Sequence, residues 1–172
     1  MDSSGLVEKV QELTDLELAI LLSLVAGHHC IIKAEQDVSE PLNQELQLDI
    51  QTLSELGEQA TISAEVKAYL HNIVTFLRMH RAVGGGISPR ATQHFNILVR
   101  CLAPLHGLKF VTPSLVALAA RKIYSHRISI LNAQDERSMQ YGSDLAAVKT
   151  ILEGITPEQV IDFVLDEIEV PL

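Results

Sequence analysis

Apolar residues recur along this chain at helical spacing, and polar caps separate the runs. From Leu16, positions Ala19, Ile20, Ser23, Leu24 and Gly27 share one helical face, while Leu18, Leu21, Leu22 and Val25 fill the others. Thr14 and Glu17 precede this run with the spacing of a capping box. A helix apolar nearly all round must be buried on more than one side, so this one calls for the rest of its domain or for a partner. His28-His29-Cys30-Ile31-Ile32 fits either a helix tail or a short extended segment. Pro41 opens a second predicted helix to about Leu56, striped by Leu42, Leu46, Leu53 and Leu56. Ser63 is a good N-cap for a third, which runs to about Val83 with Val66, Leu70, Ile73, Val74 and Leu77 on one face. Pro89 starts a fourth, lined by Phe95, Leu98, Val99 and Leu102; Pro104 weakens its last turn and Gly107 stops it. Lys109-Phe110-Val111 reads as an extended link, and Thr112-Pro113 begins a fifth helix to about Tyr124. Residues 132–143 are polar and read as a linker. A modest helix over Leu145–Leu152 and a last one, from Thr156-Pro157-Glu158-Gln159 to about Ile168, complete the series. No stretch alternates as a strand does. The predicted fold class is therefore mostly α, a small helical bundle with N- and C-terminal helical extensions.

The most informative stretch is Arg81-Ala82-Val83-Gly84-Gly85-Gly86-Ile87-Ser88-Pro89-Arg90-Ala91-Thr92. A helix is predicted to end at the glycines, because glycine tolerates the positive φ that a helix exit often needs. Ser88 can accept from the free N–H groups of the next turn, and Pro89 stands where a missing N–H costs nothing. Arg90 is then fixed on the first turn of a helix, a place that suits a guanidinium held toward an anion.

Charge divides the chain into three parts, taken here as expected domains. Residues 1–60, an acidic N-terminal helical segment, carry 12 acids against 2 bases. Residues 61–131 carry 1 acid against 9 bases, and residues 132–172, the C-terminal linker and helices, 9 acids against 2 bases. A basic middle between acidic ends is either screened within the molecule or kept for an anionic partner. Apolar content of 47% suits a real core, and the scarcity of aromatics suits Leu, Ile, Val and Ala packing between helices. The start, Met1-Asp2-Ser3-Ser4-Gly5, lacks the basic region of a secretory leader, and the run Leu18–Gly27 is too short to span a bilayer. Cys30 and Cys101 stand far apart with no motif around either, which reads as two free thiols in a reducing compartment, cytoplasmic or nuclear. His28-His29-Cys30 has no second cluster to complete a metal site, so no metal ligand is assigned. No nucleophile, paired-carboxylate or triad pattern assigns a catalytic residue.

Residues 62–130 resemble a known family. The pattern is a helix ending in Leu77-Arg78-Met79-His80-Arg81, then Gly-Gly-Ile-Ser-Pro-Arg-Ala. It continues with Pro104-Leu105-His106-Gly107-Leu108, Lys109-Phe110-Val111-Thr112-Pro113 and Tyr124-Ser125-His126-Arg127-Ile128. This order resembles the helical lid domain of AAA+ ATPases of the MoxR and magnesium-chelatase I-subunit group. With Leu13–Ile32 it also resembles fungal magnesium-chelatase-like proteins. The resemblance implies that Arg90 is the sensor 2 arginine, which reaches from the lid to the γ-phosphate of bound ATP. It also implies that Ser88, Arg81 and Arg127 can contact phosphate or a neighbouring subunit.

The pattern is incomplete as an ATPase. No Gly-x-x-x-x-Gly-Lys-Ser/Thr string occurs in the 172 residues. Phe163-Val164-Leu165-Asp166-Glu167 imitates a Walker B strand, but it follows a helix cap and its acids suit an amphipathic helix. The expectation is a lid whose ATPase core was lost, truncated or placed on another chain. It implies no cofactor for the chain alone, and ATP with Mg²⁺ where a partner supplies the P-loop. Three functions follow. The first is a non-hydrolysing interaction module that meets an AAA+ core or ring neighbour. The second is an ATPase-complex component that supplies Arg90 to ATP held by another chain. The third, a nucleic-acid-binding module, rests on the basic block alone, without aromatic or Lys-rich interleaving.

Overall fold

The computed structural model describes residues 44–171, with side chains from residue 51 onward. The leucine-rich run from Leu16, its Thr14 cap, His28-His29-Cys30 and Pro41 lie outside the described residues. Six α-helices follow among the described residues: α1 (Gln44–Gln59), α2 (Ala64–Met79), α3 (Pro89–Leu105), α4 (Pro113–Tyr124), α5 (Leu145–Leu152) and α6 (Pro157–Glu167). Two short strands, β1 (Val83–Gly85) and β2 (Ser129–Ile130), and two 3₁₀ turns, Ala133–Asp135 and Arg137–Tyr141, complete the order. The mostly α fold class expected from the apolar spacing is the one observed.

Contacts group the chain into two compact units, residues 1–62 with 96–112 and residues 63–95 with 113–172. In the described part of the first, Leu53, Ala60, Leu98, Val99, Leu102, Leu105 and Val111 are buried. Gly57 on α1 faces Cys101 on α3; a Cβ there would stand 3.4 Å from the Cys101 Sγ and Cα. Contact this close keeps α1 tight against α3. Helix α3 ends in a Schellman arrangement. Leu108 N–H donates to the Ala103 carbonyl at 2.8 Å, Gly107 N–H donates to the Pro104 carbonyl at 2.9 Å, and Gly107 takes φ +69°. Pro104 is therefore accommodated in the final turn, where the reversal satisfies the carbonyls that the helix leaves over. The extended link expected at Lys109–Val111 is present. Thr61 N–H donates to the Lys109 carbonyl and Val111 N–H to the Thr61 carbonyl, forming a parallel bridge between Thr61 and Phe110.

The core of the second unit is built from α2, the start of α3, α4 and α6. Ile73, Val74 and Leu77 from α2 are fully buried, as are Phe95, Val116, Tyr124, Val160, Ile161 and Val164. Phe95 and Tyr124 meet edge to face, with ring centroids 5.3 Å apart. Ser63 caps α2 by accepting from Val66 N–H. Thr156 and Gln159 close the reciprocal capping box that starts α6. The Phe163–Glu167 string lies within α6, so it is helix and not a Walker B strand.

Two expectations are corrected here. Helix α2 stops at Met79, four residues before the expected end, because His80 is already extended (φ −60°, ψ 131°). The residues after it form β1, which pairs antiparallel with β2: Val83 opposite Ile130, Gly85 opposite Ser129, with an irregularity at Gly84. Two residues then advance on one strand for one on the other, the geometry of a bulge. A ribbon this short leaves no alternation to read. Residues 132–143, expected as a polar linker, are held down by the two 3₁₀ turns and by Glu136, only 4% exposed.

Cys101 is a buried free thiol, and burial together with the nearby Glu58 carboxylate raises its pKa to about 11. The folded thiol thus holds its proton more tightly than the unfolded one. Stability should be unaffected below about pH 9 and fall as pH rises from there toward 11. In a Cys30→Ser variant, a thiol reagent at pH 8 should modify Cys101 only after denaturant is added. Prompt labelling of the native chain would contradict this burial.

Candidate functional site

The site is built on the turn between β1 and α3. Gly86, and neither Gly84 nor Gly85, takes the left-handed conformation, at φ +99°. It does so at the end of a strand and not at a helix exit. A Cβ at Gly86 would lie 1.9 Å from the Arg127 carbonyl oxygen and 2.6 Å from its carbon. Only glycine lets the two backbones pass this closely. That approach sets the chain after α4 against the turn that leads into α3.

Ser88 then caps α3, accepting from Ala91 N–H at 3.1 Å. Pro89 is the first residue of the helix and Arg90 the second, exposed and without an ion pair among the described residues. Arg90 and His94 are one helical turn apart and share a face. The Arg127 guanidinium reaches His94 from the other side, with Nη2 3.1 Å from Nδ1. A guanidinium can only donate, so His94 Nδ1 accepts and the ring proton sits on Nε2. Arg127 Nε is buried with no partner, and Tyr124 is fully buried at the end of α4 with its hydroxyl equally unmatched. Burial raises the Tyr124 pKa, opposed by a weaker contribution from Thr92.

Other arginines are engaged within the unit. Arg78 Nε donates to the Ile87 carbonyl at 3.0 Å and Nη2 to Thr92 Oγ1 at 3.2 Å. Arg137 Nη2 donates to the Arg78 carbonyl at 3.2 Å. Arg81 forms a 3.6 Å ion pair with the buried Glu136 carboxylate. Glu136 also accepts from the Ser138 hydroxyl and from Ser138 N–H. The Ser138 hydroxyl, with smaller help from its N–H and from Arg81 and Arg137, pulls the Glu136 pKa below the usual range against the effect of burial.

Of the four residues predicted from sequence, Ser88 and Arg90 open α3, and Arg127 comes to the same helix through its contact with His94, one turn after Arg90. Arg81 is drawn to Glu136 instead. Sequence reading missed His94, whose signal is its place one turn after Arg90. It missed Glu136 entirely, since one acid in an acidic polar stretch carries no mark of burial. Among the described residues no three His, Cys, Asp or Glu side chains group as a metal site, and no helix is long and apolar enough to cross a membrane.

With this geometry in hand, comparison with known proteins gives one family and two relatives. Residues 75–148 match the AAA lid domain family, and the chain carries an AAA+ lid domain there. The matched span holds Arg78, Arg81, Ser88, Arg90 and Arg127. Maintenance of telomere capping protein 2 of Kluyveromyces lactis is 25% identical over 92 residues, 51% of this chain and 34% of that protein. The crystal structure of a candidate ATPase from Cytophaga hutchinsonii superposes with a TM-score of 0.56 at 17% identity, over 78% of this chain and 45% of that one. At that identity the likeness is one of fold. The chain spans about a third of the first relative's length and under half of the second's.

Gly86→Ala should cost about 3 kcal/mol or more, from left-handed strain and the collision with Arg127, and should be visible as a lower denaturant midpoint. Gly85→Ala, at ordinary φ, should cost well under half of that. The depressed Glu136 pKa gives stability that is complete above the unfolded carboxyl pKa and is lost as pH falls through the folded one. The thermal unfolding midpoint should therefore fall below about pH 4.5, and Glu136→Gln should flatten that acid limb.

Proposed function

We propose that the chain works as a lid-type interaction module that hydrolyses no nucleotide by itself and engages an AAA+ core through the edge formed by Ser88, Arg90, His94 and Arg127. The observation that carries this reading is the contrast among the arginines. Arg78, Arg81 and Arg121 have partners within the unit, whereas Arg90 stands exposed and without an ion pair among the described residues on a capped first turn. A helix N-terminus and a guanidinium at one place favour an anionic surface on the partner.

A second reading is favoured by the same position. If the resemblance of the Ser88-Pro89-Arg90 turn to the MoxR and magnesium-chelatase I-subunit group holds, Arg90 is the sensor 2 arginine and would meet a phosphate of ATP held by another chain. Exposure on the first turn of α3 fits that contact for one phosphate oxygen, and the rest of the nucleotide, with Mg²⁺, would be held by the P-loop of the partner. If the name of the K. lactis relative extends to this chain, the setting of the docking is telomere capping.

Titration calorimetry of the purified chain with ATP and Mg²⁺ tests both readings. Without phosphate-cradling N–H groups, the chain alone should bind more weakly than about 1 mM, about 4 kcal/mol at most. Saturable micromolar binding that Arg90→Ala weakens would mean that the chain itself is a nucleotide-binding ATPase component, and would overturn the first reading.

A further inference from the structure

Three helices of this chain start on proline directly after a hydroxyl residue: Ser88-Pro89 at α3, Thr112-Pro113 at α4 and Thr156-Pro157 at α6. The next residue sets them apart. It is Arg90 at α3, Ser114 at α4 and Glu158 at α6. Ser88, Pro89 and Arg90 are all exposed, whereas Thr112 is half-buried. Ser88 Oγ accepts from Ala91 N–H at 3.1 Å, and the Ser88 carbonyl accepts from Thr92 N–H at 3.1 Å. These two bonds are all that must open for the segment to extend through Pro89, which has no N–H to lose. An exposed hydroxyl followed by proline is the acceptor that a proline-directed protein kinase takes, and the phosphate it adds brings close to two negative charges and three strong acceptor oxygens.

The contacts around Ser88 suit such a group. Arg78 lies against the backbone on both sides of it: Nε donates to the Ile87 carbonyl at 3.0 Å and Nη2 to Thr92 Oγ1 at 3.2 Å. Thr92 Oγ1 in turn donates to the Ser88 carbonyl at 3.3 Å. Beyond Thr92 stands the fully buried Tyr124 hydroxyl, without a partner, and Arg78 and Arg127 are both near enough to favour its ionised form. Among the described residues no carboxylate bonds to the turn from Ile87 to Thr92: Glu136 is held by Arg81, and Glu167 acts on His80. A phosphate on Ser88 would lie over the end of α3, where the Arg90 and Ala91 N–H groups and the helix dipole face it. Arg90 on that first turn, and Arg78 beside it, supply the guanidinium groups. At Thr156 the same cap and proline are followed by Glu158, which would repel a phosphate.

We propose that Ser88 is a phosphorylation site for a proline-directed protein kinase, and that its phosphate engages Arg90 and withdraws it from an anionic partner. In the transfer, Ser88 Oγ forms a bond to the γ-phosphorus of ATP, the bond from that phosphorus to the ADP oxygen breaks, and the hydroxyl proton passes to the base of the kinase. The phosphate then replaces the hydroxyl as the cap of α3. The withdrawal of Arg90 rests on the docking role proposed above; the modification itself does not.

The test treats the full native chain with a purified proline-directed kinase, ATP and Mg²⁺, and maps the product by mass spectrometry. Ser88 should carry the phosphate, and Pro89→Ala should lose it. The phosphorus resonance of the phosphoserine should titrate below the value of about 6 usual for a phosphate monoester, and Arg90→Ala should return it toward 6. The phosphorylated chain should bind inorganic tripolyphosphate about tenfold more weakly at Arg90 than the unmodified chain. Ser88→Asn, which keeps a capping acceptor and has no hydroxyl, should bind tripolyphosphate equally before and after kinase treatment. A native chain left unmodified at Ser88 by a kinase that modifies a peptide of residues 82–94 would overturn the site. A phosphoserine that titrates at the same pH in the parent and in Arg90→Ala, or unchanged tripolyphosphate binding after modification, would overturn the engagement of Arg90. No tripolyphosphate binding at Arg90 even in the unmodified chain would instead contradict the docking role, and the mapped phosphate and its titration would still decide the site.

Discussion

The second unit depends on one backbone contact, the passage of Gly86 across the Arg127 carbonyl. No side chain fits there, since a Cβ would fall 1.9 Å from the oxygen. The constraint has two effects at once. It closes the ribbon of Val83–Gly85 on Ser129–Ile130, and it brings Arg127, three residues after α4, to Gly86, three residues before α3. Arg127 is nearly forty residues from Ser88 and Arg90 in sequence because α3 and α4 intervene. With Gly86 seated, they belong to one edge.

Electrostatics then sorts the basic residues of the middle segment. Each arginine that points into the unit finds an oxygen: Arg78 a carbonyl and a hydroxyl, Arg81 a buried carboxylate, Arg121 an aspartate. Arg127 finds a neutral imidazole, which leaves its charge uncompensated. Arg90 finds none of these among the described residues. An excess of nine bases over one acid in residues 61–131 is thus partly structural. Of the part left over, Arg90 stands at the start of α3, and Lys67, Lys109 and Lys122 lie elsewhere, also without an ion pair among the described residues.

Much of the helical architecture was legible in the sequence. Ser63, Ser88 and Thr156 each announce a helix start by a side-chain acceptor that the structure uses. Gly107 marks an end, and the alternative strand reading of Phe163–Glu167 fails because Thr156 had already begun a helix. Boundaries set by tertiary contact were not legible. Helix α2 ends at Met79 because Val83 is needed opposite Ile130, a partner nearly fifty residues on. Glu136 is buried because Arg81 and Ser138 compensate it, and neither pairing leaves a local pattern. At the site, the Ser-Pro-Arg order pointed to Arg90, and a helical wheel was enough to find His94. The link from His94 to Arg127 is long-range and required the fold.

The most direct measurement is a titration of the chain with inorganic tripolyphosphate, followed through the arginine side-chain Nε–H resonances by NMR. Arg90 and Arg127 should shift together and saturably, in the millimolar range expected of an edge without a phosphate-binding loop, about 4 kcal/mol or less. Arg78 and Arg81 should stay fixed, because their guanidinium groups are already engaged. Equal drift of all four, or a shift confined to Arg78 and Arg81, would contradict a docking edge centred on Arg90.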